Sequence, residues 1–303
     1  MSFYTVRFLW GGESIRFEFR ESVFESWKTE IALVKTSRLM QDTGKFRSNE
    51  MDKFYTKPSV ASSCIDELQK HATGTWIEPS AGSGAFVDAA KRVVRAMDIE
   101  PGRDDIVKQD FLTWKPTQTH CTVFGNPPFG RQSVLARKFI KHASTFADVI
   151  AFILPRSFTK PSMQRAFPLE FHLVSEIPIE KDAFLVNGLP YNVPCVFQIW
   201  KRMELPRKVP IVEGRQWMYV KKNEPHDIAV RRVGVYAGKC MRPDDSLSAQ
   251  SHYFIKLPDG NNIETIIEHI CSNVFPSNTT GPRSLSKDEV NVVLDECVAT
   301  TPE

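Results

Sequence analysis

The sequence has no CxxC pair and no Cys/His cluster at zinc-ligand spacing; its six cysteines (Cys64, Cys121, Cys195, Cys240, Cys271 and Cys297) are scattered singly. That excludes a zinc-ribbon pattern and gives no disulfide framework, so reduced thiols are expected. No apolar run approaches the roughly 20 residues that span a bilayer. The N-terminus, MSFYTVRFLW, lacks a basic region followed by an apolar stretch, so an intracellular, non-secreted protein is expected. There is no Gly-Lys-Ser/Thr phosphate loop, no internal repeat and no low-complexity tract.

What is present is an ordinary globular composition, with 303 residues, 42% hydrophobic and 25% charged, enough for one large or two ordinary domains. The net charge is only +3, but it is uneven: Leu205 to Lys256 holds ten Lys/Arg against five Asp/Glu, leaving the remainder slightly acidic. A polyanionic partner suits such a segment, and so does a solvated basic face.

The pattern changes twice along the chain. FYTVRFLW, a Gly11-Gly12 turn and SIRFEFR read as a hairpin, and ESVFESWKTEIALV reads as a helix, giving an extension over residues 1–50. From Lys57 to about Arg202, helices at 59–72, 84–94 and 133–146 alternate with short apolar strands, which implies a doubly wound, mostly parallel α/β sheet over residues 51–203. ELPRKVP then marks a linker to a smaller α+β module over residues 204–303. Its clearest helix, NNIETIIEHICSNVF, puts Ile263, Ile266, Ile267, Ile270 and Val274 on one face, and SKDEVNVVLDE reads as a second.

WIEPSAGSGAF (76–86) sets two glycines between a strand and a helix, where the backbone turns sharply and approaches a ligand. The acidic Glu78 at the strand end repels phosphate and suits a ligand with a cationic amino group. Asp98 closes the next strand, Asp110-Phe111 a third, and NPPF (126–129) follows a fourth. In an open α/β sheet these strand ends share one crevice. Asp98 is placed to grip ribose hydroxyls and Asp110 to accept from an exocyclic amine, with Ile99 or Phe111 sandwiching a purine.

In this order, FYTKP, EPSAGSGAF, DF and NPPF resemble the S-adenosylmethionine-dependent N6-adenine methyltransferases whose NPP-aromatic motif follows the glycine motif. The resemblance covers Asp52 to about Arg202, roughly half the chain. It implies a Rossmann-like class I methyltransferase fold with S-adenosylmethionine as cofactor and no metal. Tyr55, Thr56, Lys57 and Pro58 would cup the methionine end. Glu78 and the backbone of Ser80, Ala81, Gly82 and Gly84 would hold the methionine part, Asp98 the ribose, and Asp110 with Phe111 the adenine, with Ile99 a further cofactor contact.

The same resemblance gives the chemistry of NPPF. The lone pair of adenine N6 is delocalised into its ring, and two acceptors on the N6 hydrogens, the Asn126 side-chain oxygen and the Pro127 carbonyl, favour the state in which it localises toward the methyl donor. Pro127 and Pro128 remove backbone donors, and Phe129, where relatives often carry Tyr, stacks on the extruded base. The other face is expected to meet an aromatic between Phe184 and Tyr191, with Tyr191 chosen. DNA is the expected polymer, contacted by Arg131 and Arg156 near the site and by Lys221, Lys222, Arg231 and Arg232, with Arg207, Lys208 and Arg215, in the last module. RNA is the near alternative. A protein-glutamine methyltransferase and a catalytically decayed partner subunit rank below it.

Overall fold

The computed structural model describes residues 3–10, 13–20, 54–117, 119–186, 188–208, 215, 217–279 and 282–298. The chain divides into two units, residues 1–50 and 51–303. In the first, β1 (Phe3–Trp10) and β2 (Glu13–Arg20) pair antiparallel with Trp10 opposite Glu13. The helix expected over residues 21–34 lies outside the described residues.

The second unit begins with β3 (Tyr55–Thr56), α1 (Pro58–Leu68), β4 (Thr75–Glu78), α2 (Ala85–Ala90), β5 (Val94–Asp98), β6 (Val107–Lys108) and β7 (Cys121–Gly125). Next come α3 (Val134–Ala143), β8 (Val149–Pro155), α4 (Pro161–Gln164), β9 (Phe171–Pro178), β10 (Phe184–Val186), β11 (Leu189–Tyr191) and β12 (Cys195–Arg202). Seven of these strands form one sheet in the order β6-β5-β4-β7-β8-β12-β9. β6, β5, β4, β7 and β8 run parallel, while β12 is antiparallel to both β8 and β9. This is a Rossmann-like, doubly wound, mostly parallel sheet. The order reverses at β4 and β7, and that switch point opens a crevice at the strands' carboxyl ends.

Local chemistry explains the elements. β8, VIAFILP, is buried at every position, as a central strand covered on both faces requires. Each fully buried Ile or Phe there contributes about 1.5–3 kcal/mol. α1 opens on Pro58 at its first turn, after an extended Lys57. α2 is shorter than the helix expected over 84–94: Lys91 turns left-handed at φ 48°, and Val94 already pairs with Trp76 in the sheet. β9 is an edge strand whose polar residues hide its strand character. It and the small sheet β11-β10-β3 had no counterpart in the sequence pattern.

The last module contains β13 (Met218–Val220), β14 (Ile228–Arg231), β15 (Cys240–Met241) and β16 (His252–Lys256), in the order β13-β16-β14-β15, with α5 (Ile263–Ser272) and α6 (Lys287–Cys297). Asn262 caps α5, and Ser286 with Glu289 forms a capping box on α6. Ile266 and Ile270 are buried as the α5 pattern requires, but Val274 lies past the helix end and is 90% exposed. One apolar cluster runs from Val60 to Trp200 and a second from Trp217 to Val298. Between them, Lys160 Nζ donates to Ser284 O at 2.6 Å and meets Glu289 at 3.0 Å, both side chains nearly buried. The stretch expected to be a linker is tethered rather than free: Arg207 donates from its backbone to Leu169 O and from Nη2 to Gln164 O and Phe167 O.

Candidate active site at the switch point

A cavity of about 290 Å³ lies at the carboxyl ends of the parallel strands. Each strand end supplies part of its wall. Pro79, Ser80 and Gly82 follow β4; Asp98, Ile99 and Glu100 end β5; Asp110, Phe111 and Leu112 follow β6; and Asn126, Pro127, Pro128 and Phe129 follow β7. Phe54, Tyr55, Leu135 and Phe139 complete it.

The backbone is shaped for close approach. Gly82 sits at φ +52°, and a Cβ there would stand 3.4 Å from the Tyr55 ring. Its N–H donates to Asp98 Oδ2 at 2.8 Å, while Glu100 N–H donates to Oδ1 at 2.8 Å, so two amides fix the Asp98 carboxylate. Asp110 is fixed by Leu112 N–H on Oδ1 at 2.9 Å. Gly125, at φ +134°, lets the chain pass Glu78, whose Cγ would be 3.2 Å from an added Cβ.

Asn126 is the most informative residue. Its Nδ2 donates to Phe54 O and to Thr56 Oγ1, each at 3.2 Å. A carbonyl accepts only, so this pair orients the amide and leaves Oδ1 as the remaining acceptor. Oδ1 is buried and has no partner among the described residues. The Asn126 backbone carbonyl accepts from Ser80 Oγ at 3.1 Å, which ties the NPPF turn to the glycine loop. A buried acceptor without a donor is costly.

All four NPPF residues line the cavity, together with Tyr55, Ser80, Gly82, Asp98, Ile99, Asp110 and Phe111. The other expected cofactor contacts lie behind it. Thr56 supports Asn126, Lys57 and Pro58 start α1, Ala81 packs with Ala96 and Ile106, and Gly84 caps α2. Glu78 is 1% exposed and does not line the wall; burial first, then the charges of Asp98 and Asp88, against an opposing Arg103, pushes its carboxyl up to about 8. Its Oε2 has no partner among the described residues.

Two aromatic expectations change. Phe111 is 1% exposed and packed among Trp114, Phe139, His142 and Phe146, so it borders the cavity rather than offering a free face, whereas Ile99 is 42% exposed. Tyr191 does not line the cavity: pairing opposite Phe184, itself opposite Thr56, sets it a strand away, and its ring packs on Phe54 at 5.3 Å. Phe54 is the lining aromatic that sequence reasoning missed, although it begins the FYTKP stretch. Leu135 and Phe139 of α3 were missed because their spacing signals only a core face.

The cavity lining contains Asp98, Glu100 and Asp110 and no Lys or Arg, so its charge suits a cationic ligand. The exposed Ile99 beside fixed carboxylates suits a nucleoside, and a group of this kind fits S-adenosylmethionine. Among the described residues there is no group of three or more His, Cys, Asp or Glu that could hold a metal, and no helix is long and apolar enough to cross a membrane.

No family model matches this chain. Over 126 residues, 37% of this chain and 49% of the relative, it is 28% identical to an rRNA adenine N-6-methyltransferase of Corynebacterium diphtheriae. Over 90 residues, 25% of this chain and 24% of the relative, it is 23% identical to the type II methyltransferase M.CvrRI of Paramecium bursaria Chlorella virus XZ-6E. In sequence the chain is similar to methyltransferases. It spans about half or less of the length of these curated relatives. Among solved structures, the 23S rRNA methyltransferase ErmE aligns with TM-score 0.38 at 16% identity over 51% of this chain and 71% of that one. A modification subunit of a type I restriction enzyme from Vibrio vulnificus YJ016 gives 0.39 at 14% over 61% and 50%.

Proposed function

We propose that the protein transfers a methyl group from S-adenosylmethionine to N6 of adenine in a nucleic acid. The observation that carries this reading is the Asn126 amide, oriented through Nδ2 with its buried Oδ1 left unpartnered among the described residues, in an NPPF turn that lines one cavity with the glycine loop, Asp98 and Asp110. When bound, the cofactor supplies an electrophilic methyl on sulfonium sulfur. Asp98 meets its ribose hydroxyls and Asp110 its adenine amine, while Ile99 covers the ring. Asn126 Oδ1 and the Pro127 carbonyl accept from the two N6 hydrogens of the target, and the oriented amide does so without reorganising, because Phe54 O and Thr56 Oγ1 already hold Nδ2. Phe129 is 8% exposed on the cavity wall, and its accessible edge borders the target base.

DNA remains the first polymer to test, on the strength of the basic stretch from Leu205 to Lys256. RNA is favoured by a different observation, the longer of the two sequence matches being to an rRNA adenine methyltransferase. The experiment is transfer of labelled methyl from S-adenosylmethionine to duplex DNA and structured RNA, with N6-methyladenine identified by mass spectrometry, beside Asn126→Ala. Product on one polymer, lost in the variant, is expected. No transfer to either polymer, or full activity in Asn126→Ala, removes the reading.

A further inference from the structure

The basic residues of the last module do not form one uniform patch. Arg215 is paired with Asp295 and stacked on Trp217, and Arg207 is spent on Gln164 and Phe167 carbonyls. Arg231 donates to Val233 O and lies over Tyr236. Lys222 Nζ is likewise held, donating to Asp245 O at 2.7 Å. Lys221 and Arg232 instead converge with Lys287, the first residue of α6, on a second cavity of about 350 Å³ that Lys222 also borders. Its lining contains no Asp or Glu.

Two of the neighbouring acids are paired with other cations, and the third stays beside Lys221. Glu289 pairs with Lys160, Asp288 with Arg165 at 2.8 Å, and Glu224 accepts from the backbone N–H of Lys221 at 2.7 Å. Nor is this an aromatic platform. Lys287 Nζ sits 4.2 Å from the Tyr219 ring centroid, and the Arg232 guanidinium carbon 5.1 Å from that of Tyr253. The two rings meet edge to face, and their hydroxyls bond Asn291 at 2.8 Å and Leu285 O at 3.1 Å. Ring faces covered by cations cannot stack a base, and the cations so held point positive charge at the cavity. His252, 6% exposed, also lines it, and its Nε2 has no partner among the described residues.

We propose that this cavity, bounded by Lys221, Lys222, Arg232 and Lys287, is a subsite for backbone phosphates of the nucleic-acid substrate, gripping the strand outside the cavity at the switch point without reading its sequence. The inference rests on the nucleic-acid reading above and deepens it. Contacts to phosphate give affinity without sequence preference. Arg232 and Lys287 are pre-positioned by their rings, so little side-chain freedom is lost on contact.

The test reads binding first, independently of catalysis. Labelled oligonucleotides, DNA and RNA of the same sequence, single-stranded and duplex, are titrated with the full chain and with Lys221→Gln/Arg232→Gln over a range of salt. The double variant is expected to bind about tenfold more weakly and to lose about two from the slope of log affinity against log salt. Lys221→Gln alone, at an exposed side chain, gives about half that slope change and guards against misfolding of the double variant. Whichever polymer shows the loss is the one the subsite serves. In methyl transfer the variants raise KM, leave kcat and S-adenosylhomocysteine binding unchanged, and leave the set of methylated adenines unchanged. Unaltered affinity and salt slope overturn the proposal, and so does a change in which adenines are methylated, because that means the pocket reads bases. If the unmodified chain binds nucleic acid with this salt dependence yet transfers no methyl, the catalytic reading fails while the subsite stands.

Discussion

The two cavities are of similar size and opposite character. The one at the switch point is walled by Asp98, Glu100, Asp110 and apolar rings, and the one in the last module by Lys221, Lys222, Arg232 and Lys287. The first is fixed by backbone: amides hold its carboxylates, glycines shape its floor, and prolines withhold donors. The second is fixed by side chains resting on tyrosine rings. A site that must hold a reacting amine within a fraction of an ångström needs the rigid construction, whereas a polyanion is held adequately by charges on flexible stems.

The sharpest break in that comparison is Asn126→Ala, which removes the oriented amide of the first cavity's NPPF turn and leaves the second untouched. Methyl transfer is expected to fall by about 100- to 1,000-fold, the scale seen when one pre-organised polar group is removed from a reacting centre. Oligonucleotide binding should be unchanged, and a fall in binding equal to the fall in rate would make Asn126 a docking residue instead.

The next largest effect concerns what joins the regions. Lys160→Met leaves Glu289 buried beside Ser284 O without its cation, at a cost of about 3 kcal/mol. Calorimetry should show a lower Tm, with the module's transition separating from that of the sheet. A single unshifted transition would mean the ion pair does not couple the two cores.

Much of the first cavity was legible in the sequence because backbone-built sites leave backbone signatures. Gly82 is required by its positive φ, the prolines of NPPF withhold donors, and strand-end acids follow from topology. What escaped was set by packing. Phe54 went unnoticed and Tyr191 lies a strand away from the wall because the β11-β10-β3 sheet is too short to announce itself, and Phe111 borders the cavity from within a cluster with Trp114, Phe139 and Phe146 that only the tertiary fold assembles. In the second cavity the sequence showed a charge excess but not which cations converge. Lys287 lies 55 residues beyond Arg232 and carried no signal until α6 docked on the sheet.

Glu78 supplies a pH test of the rigid site. Its carboxyl is raised from an ordinary 4.5 to about 8 in the folded chain, chiefly by burial. An acid raised by folding is neutral in the native state while the unfolded chain ionises it, so its contribution is intact below about pH 4.5 and is lost as pH climbs toward 8. Stability of the ligand-free protein should therefore decline across that window by at most about 1.4 kcal/mol per pH unit. Glu78→Gln should flatten the decline in urea-unfolding series at several pH values. An equally steep decline in the variant would assign the slope to other groups.

The smallest expected effect separates the acids of the first cavity from one another. Asp98 accepts two loop amides and cannot be removed without disturbing the Gly82 turn. Asp110 accepts one amide, that of Leu112, and keeps Oδ2 for a ligand amine. Asp110→Ala is thus expected to weaken S-adenosylhomocysteine binding about tenfold, the value of one hydrogen bond to a charged group, with Tm nearly unchanged. An analogue lacking the exocyclic amine should bind wild type and variant alike. If it still binds wild type tenfold better, Asp110 acts on the loop, and the adenine end of the ligand lies elsewhere in the cavity.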